Sequence, residues 1–525
     1  MHSHLPFVLA LLALLGFVAA LTQRWRVPLP VLLAGAGVVF GCVPGTPRAS
    51  LHPELILTLF LPPLLYTDAF HTSWTDFQRS LRPILMLAVG LVVFTTLSVG
   101  LVAHACLPQL PWAACFLLGA IVSPTDTIAV QAVIERLRVP RRITAVLGGE
   151  SLVNDATGLV CVQVVTAVLL SGTFEASEVA GHFARVAGLG IAVGLLVGAA
   201  FALGNRIVRD TQVLFVLSLI SPYLAFLLAE EVEASGVLAV VVAGFVVAWR
   251  IHHLHAEARI QLNSTWEQIV FVLNGLCFLF IGLQVPRVIE DTGAVSSGNL
   301  VLAGLAVSAA VVLSRIAWCL PGSVIPLPFA RGRREFSTWK HAALVSWAGV
   351  RGVVSLAAAL ALPELTADGA PFPGRNAILA CTLFVVVTTL LVQGLTLLPL
   401  IHALGIRDDE DSTREVRHAR EAVLGAGISK LDSYCSENAC PLSIHHLRMH
   451  MVDELHTLQD EDLEEKQLAI SRLNVSMDVR REIMTAQESV LLHLRDHGKI
   501  NDRTYHRLLL ELDRANLAIA PRKAA

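Results

Sequence analysis

Apolar positions along the chain fall in long unbroken runs, not in the alternation of a half-buried strand or the narrow stripe of a surface helix. Runs of roughly 17–25 mainly apolar residues are long enough to cross the hydrocarbon core of a membrane as helices. About thirteen can be drawn, near 5–21, 27–43, 51–70, 83–106, 112–135, 144–171, 179–204, 211–230, 234–249, 266–285, 298–328, 341–362 and 376–403. The pattern predicts an all-α polytopic membrane protein with about 13 transmembrane helices.

Charge then divides the chain. Residues 1–405 hold 42 Asp, Glu, Lys and Arg, whereas the much shorter stretch 406–525 holds 39. A transmembrane domain over 1–405 and a soluble tail over 406–525 are therefore expected. Acidic runs at 408–411 and 460–465 and helical apolar spacing near 447–474 suit a mostly helical, solvated tail with no recognisable catalytic pattern. His445, His446 and His450 in the tail, and His252, His253 and His255 on a loop, carry imidazoles that titrate near neutrality, although a histidine at a membrane surface usually only faces water.

The loops orient the chain, because cytoplasmic loops are enriched in Lys and Arg. Loops 22–26, 71–82, 136–143, 205–210, 250–260 and 331–340 carry sixteen of them, and the intervening loops carry four, Arg48, Arg185, Arg287 and Arg375. With an odd number of spans the N-terminus lies outside and the tail in the cytoplasm. The first run has no basic start and no small-residue cleavage site, so it is read as a retained helix rather than a signal peptide.

Composition adds mainly exclusions. A formal net charge of −3 and the lack of a basic stripe give no sign of a nucleic-acid partner. The nine cysteines are scattered, without metal-ligand or redox spacing, and read as packing residues. No cofactor is expected.

An ionisable side chain inside a span costs about 2.5 kcal/mol or more, so each one retained there is a functional candidate. Well inside the runs stand Asp68, Asp126, Glu150, Asp155, Arg315 and Arg351, whereas Glu54, Glu135 and Glu267 lie near run ends. Residues 148–158 read GGESLVNDATG, and a turn of about 100° per residue puts Glu150, Ser151, Asn154 and Asp155 on one helix face. Hard cations take oxygen ligands, and this stripe offers a carboxylate, a carboxamide and a hydroxyl. The alternative for Glu150 is a buried ion pair, with Arg351 as the expected partner.

Two further stretches predict broken helices. SPTD at 123–126 places Pro124 beside Asp126, and GVRGVVS at 349–355 is interrupted by glycine in the twelfth run. If the seventh run links two six-helix halves, the irregularities occupy matching positions of two inverted repeats, the arrangement that marks transporter binding sites. Opposed half-helix dipoles at such a crossing need fixed charges, and Asp126 and Arg351 could supply them.

These stretches, with LPPLLY at 61–66, SPTDTIAV at 123–130, GGESLVNDATGLV at 148–160, FLFIGLQVP at 278–286 and GVRGVVSLAAALALP at 349–363, resemble the monovalent cation:proton antiporter-1 family of NhaP-type antiporters and sodium/proton exchangers. The resemblance implies a thirteen-helix homodimer in which a core domain moves like an elevator against a dimerisation domain. It implies that Asn154-Asp155 supplies the exchanging carboxylate, that Thr125, Asp126 and Ser151 line the site, and that Na⁺ sits at Asp155, Asp126 and Ser151. Glu150 and Arg351 match the family's structural ion pair. Two departures stand out. Thr67 occupies the position where many members carry an acid, with Asp68 about 100° further round the helix, and Thr127 follows Asp126 where many members have proline. Arg315 matches no role in the motifs.

The function expected is a secondary active transporter, not an enzyme: electroneutral exchange of Na⁺, or of Li⁺ or K⁺, for H⁺ across the cell (inner) membrane, serving pH and sodium homeostasis. K⁺/H⁺ exchange is the near alternative. An ion channel, or a transporter-like sensor that drives the tail, are rivals of other classes.

Overall fold

The computed structural model describes residues 4–22, 27–43, 53–126, 130, 134, 139–171, 176–291, 297–324, 339–365, 371–406, 410–437 and 441–458, with scattered positions beyond 470. Arg48, Thr127, Glu135, the basic loop at 331–338, and the acidic run 460–465 lie outside them. Eighteen α-helices and no strand, only an isolated bridge between Leu365 and Pro371, occur among the described residues.

Two compact units divide at Asp408 and Asp409. In the first, α1 (His4–Thr22), α2 (Leu29–Gly41) and α3 (Pro53–His71) are followed by the short α4 (Trp74–Arg79). Next comes α5 (Leu81–Leu85), which runs through a π-helical stretch, Met86–Leu91, into α6 (Val92–Cys106). Then come α7 (Trp112–Val122), α8 (Arg141–Ser171), α9 (Ala176–Ile207), α10 (Thr211–Glu231) and α11 (Gly236–Trp249). The unit ends with α12 (Ala256–Asp291), α13 (Ser297–Val324), α14 (Trp339–Trp347), α15 (Val353–Leu360) and α16 (Arg375–Leu404). Helix therefore occupies every one of the apolar runs, continuous in most and interrupted in the fifth and the twelfth. Among the described residues, eight helical segments are long and apolar enough to cross a membrane, and α2, α7 and α11 are shorter apolar helices.

Polar residues at the loops set the helix starts. Asp210 Oδ1 accepts the N–H groups of Gln212 (2.8 Å) and Val213 (3.1 Å) at the head of α10, and Ser235 Oγ accepts that of Leu238 (3.3 Å) at the head of α11. The outward residues are apolar: Leu196 is 68% exposed and Ile207 74%, both on α9. Hydrocarbon, not water, satisfies such a surface. Inside the bundle the hydrophobic effect is not what holds helices together, so close approach matters more. Gly190, Gly194 and Gly198 form a four-residue stripe on α9 that lies directly against Ser235, Ala239 and Ala243 of α11.

In the second unit α17 (Glu410–Glu437) and α18 (Leu442–Leu458) pack against each other, with Gly427 against Met451 and Arg448 Nε 2.5 Å from Asp432 Oδ1.

Candidate functional site

Both interrupted segments break where the sequence places proline and glycine, and the breaks meet. Helix α7 stops at Val122, and Ser123–Asp126 belong to no helix; α14 stops at Trp347, and α15 begins only at Val353. The Asp126 N–H donates to the Val350 carbonyl across the two breaks at 2.8 Å. A broken membrane helix leaves carbonyls without their intrahelical donors, and each must find another in a medium with little water.

Arg351 supplies two of those donors. Its Nε donates to the Val122 carbonyl (2.7 Å) and its Nη1 to that of Gly349 (2.6 Å), while its own N–H is tied to Thr389 Oγ1 on α16 (3.1 Å). A cation thus sits at the C-terminal, negative end of α7. The complementary charge lies at the other break. The Asp126 carboxylate packs into the space that a Cβ on Gly352 would fill, next to the N-terminal, positive end of α15.

This geometry corrects the expected ion pair. Glu150 is held by Arg315, not by Arg351: Nη2 lies 2.7 Å from Oε2, Nη1 bonds Oε1, and both residues are 1% exposed. Arg315 Nε also donates to the Val345 carbonyl in the last turn of α14 (2.9 Å). The reason for the difference is that Arg351's guanidinium is committed to the carbonyls freed by the breaks, so the nearby carboxylate takes the other buried arginine.

Glu150 anchors a directional network. With its carboxylate accepting from Arg315, Thr125 Oγ1–H donates to it (3.3 Å), and Thr125's oxygen in turn accepts from Asn154 Nδ2 (2.7 Å). Ser151 Oγ–H donates to the Thr125 carbonyl (3.1 Å). The polar stripe on α8 therefore splits: Glu150 and Asn154 turn toward Thr125 and Arg315, while Ser151 and Asp155 face a cavity.

That cavity has a volume of about 590 Å³, open solvent included, and Asp68, Asp126 and Asp155 all line it together with Thr125, Ser151 and Ser355. Its other walls are mostly apolar, with Phe60, Leu61, Leu64 and Leu65 from α3 and Val353, Val354 and Ala357 from α15. Asn154, expected as a ligand, is not among the lining residues. Asp68, placed off the family's acid position by one residue, does line it, because 60, 61, 64, 65 and 68 form one helical stripe. Thr67 points behind that stripe, its hydroxyl on the Pro63 and Leu64 carbonyls at 2.9 Å. Asp155 is 5% exposed. Neither it nor Asp68 makes a side-chain hydrogen bond among the described residues, so their oxygens remain available inside the cavity.

A family described as sodium/hydrogen exchanger, transmembrane, matches residues 7–403. The chain belongs to the sodium/hydrogen exchanger family. It is 33% identical over 519 residues to an uncharacterized Na(+)/H(+) exchanger of Mycobacterium tuberculosis (strain ATCC 25618 / H37Rv), covering 97% of this chain and 95% of the relative. A sodium, potassium, lithium and rubidium/H(+) antiporter of Bacillus pumilus (strain SAFR-032) is 32% identical over 455 residues, 83% of this chain and 67% of its own length. Among solved structures, the sodium proton antiporter MjNhaP1 from Methanocaldococcus jannaschii at pH 8 superposes with a TM-score of 0.61 at 19% identity, over 76% of this exchanger and 97% of that chain. At that identity the likeness speaks for the fold. The exchanger is thus a multi-pass membrane protein whose two helix breaks and three-aspartate cavity lie within the family's span.

Proposed function

We propose that this exchanger is a secondary active transporter, not an enzyme, that moves Na⁺ in exchange for H⁺ across the cell membrane, with Asp155 as the group both ions occupy. The observation that carries the reading is a carboxylate, almost fully buried and without a hydrogen-bond partner among the described residues, in a cavity shared with two further aspartates. An ionised carboxylate in such a place needs a counter-ion or a proton. When the two compete for one site that faces one side at a time, their fluxes are coupled without further machinery. Asp126, Ser151 and the Thr125 backbone support the cation; Thr125 Oγ1 and Asn154 hold α8 in register with the break, and Glu150 with Arg315 fixes the network. Asp68 joins the cation site from α3.

K⁺ and Li⁺ are the close competitors for the cation's identity, because the Bacillus relative's name includes both and the oxygens present would serve any of the three. A homodimer with dimerisation and core domains, an outside N-terminus and a cytoplasmic 406–525 domain complete the proposal, supported by the resemblance and by the loop charges. The test is proton movement in everted membrane vesicles, read by a pH-sensitive dye as Na⁺, Li⁺ or K⁺ is added. Dequenching with Na⁺ is expected; dequenching with K⁺ alone would reassign the cation, and none with any cation would overturn the proposal.

A further inference from the structure

Buried polar atoms are almost always hydrogen-bonded, and the exceptions call for an explanation. Among the described residues, buried side-chain atoms without a partner occur on Asn154, Thr166, Ser221, Asn274, Arg351, Ser355, Thr382 and Gln393. Only Ser355 of these also lines the three-aspartate cavity.

Its position explains why it is unpartnered. A serine inside a helix ordinarily turns its hydroxyl back onto the carbonyl three or four residues earlier, as Ser308 does to Gly304 (2.7 Å) and Ser346 to Ala342 (2.6 Å). For Ser355 those residues are Gly352 and Arg351, which belong to the break and not to a helix: Gly352 has φ −135° and ψ −146°. The usual acceptor is therefore out of line. Ser355 lines the same cavity as Gly352, on which the Asp126 carboxylate packs. At 1% exposure no bulk water reaches the hydroxyl.

We propose that Ser355 Oγ is a cation ligand, contributed by the second broken segment, and that it tunes which monovalent cation the site prefers. This rests on the transport reading above. The hydroxyl's lone pairs would complete an oxygen shell otherwise drawn from α3, α8 and the first break, so that both broken segments hold the ion. A ligand on each side also ties cation occupancy to the fit between α15 and α8.

Purified wild type, Ser355→Ala, Ser355→Thr and Asp155→Asn in liposomes provide the test, with Na⁺ and Li⁺ titrated separately and thermal unfolding followed with and without NaCl. Because the hydroxyl has no partner to lose, Ser355→Ala should unfold without added salt at or above the wild-type temperature, and NaCl should protect it less. Its half-saturating Na⁺ concentration should rise about tenfold or more, the scale of losing a partner to a buried charge, with a different factor for Li⁺. Ser355→Thr should restore most of the Na⁺ affinity, and the proton dependence at saturating Na⁺ should stay put. Half-saturation within about twofold of wild type for both cations, with salt protection retained, would overturn the assignment even though Asp155→Asn is silent. A Ser355→Ala protein that unfolds well below wild type in the absence of salt would equally overturn it, since the hydroxyl would then be structural. Exchange by Asp155→Asn at near wild-type rate would instead bring down the transport reading itself.

Discussion

At the scale of single residues, two buried arginines do different work. Arg315 and Arg351 are both 1% exposed, yet one neutralises Glu150 and the other caps open helix ends. Removing one member of a buried pair leaves the other uncompensated at a cost of about 3–5 kcal/mol. Glu150→Gln and Arg315→Gln should therefore both lower yield and melting temperature sharply, and the double variant should lose less than the two losses added, because the same pair is broken only once. Additive losses in a thermal-stability cycle would argue against the pairing. Gly352→Ala probes a different feature. A methyl there must displace the Asp126 carboxylate, and overpacking of this kind costs about 1–3 kcal/mol. Transport is expected to fall more than stability does; unchanged transport kinetics would show that Asp126 need not stand where it does.

At the scale of elements, the two breaks are interlocked, each supplying what the other lacks. Arg351, from the second, caps the end of α7; Asp126, from the first, rests at the head of α15; and the Asp126 N–H to Val350 carbonyl bond joins their backbones. Arg351→Ala should leave the Val122 and Gly349 carbonyls unsatisfied, each at about 1–3 kcal/mol, and Arg351→Lys should recover only part, because one ammonium cannot reproduce a guanidinium's fork. Equal melting temperatures for the Lys and Ala variants would contradict that role. The breaks themselves were legible: Pro124 and the glycines around Arg351 announce them, as the length of the apolar runs announces the spans. The pairing of Glu150 was not, since it depends on where α13 passes α8, and Arg315 sits in an apolar run with no motif around it. Asp68 looked displaced when judged against one family position, yet the spacing 60, 61, 64, 65, 68 was already present in the sequence as a helical stripe. Ser355 was visible only as the last letter of GVRGVVS; its isolation from any acceptor follows from where α15 begins.

At the scale of the whole molecule, the chain divides at Asp408 and Asp409 into two compact units, the first rich in long apolar runs and the second rich in charge. The amide of Asn154 beside Asp155 leaves that α8 pair with a single carboxylate, so one Na⁺ is expected to replace one H⁺ with no net charge moved. Each net charge carried would couple to a potential by about 2.3 kcal/mol per 100 mV. Exchange in liposomes should thus be indifferent to a potential set by a potassium gradient and valinomycin; strong dependence would give Asp126 or Asp68 a second proton to carry. The central claim, that cation and proton share Asp155, is tested most directly by imposing an outward Na⁺ gradient on liposomes holding equal amounts of purified wild type or Asp155→Asn, and following internal pH. Wild type should acidify the interior as Na⁺ leaves, and the variant, folded and inserted, should not. Acidification by the variant at near the wild-type rate would contradict the account.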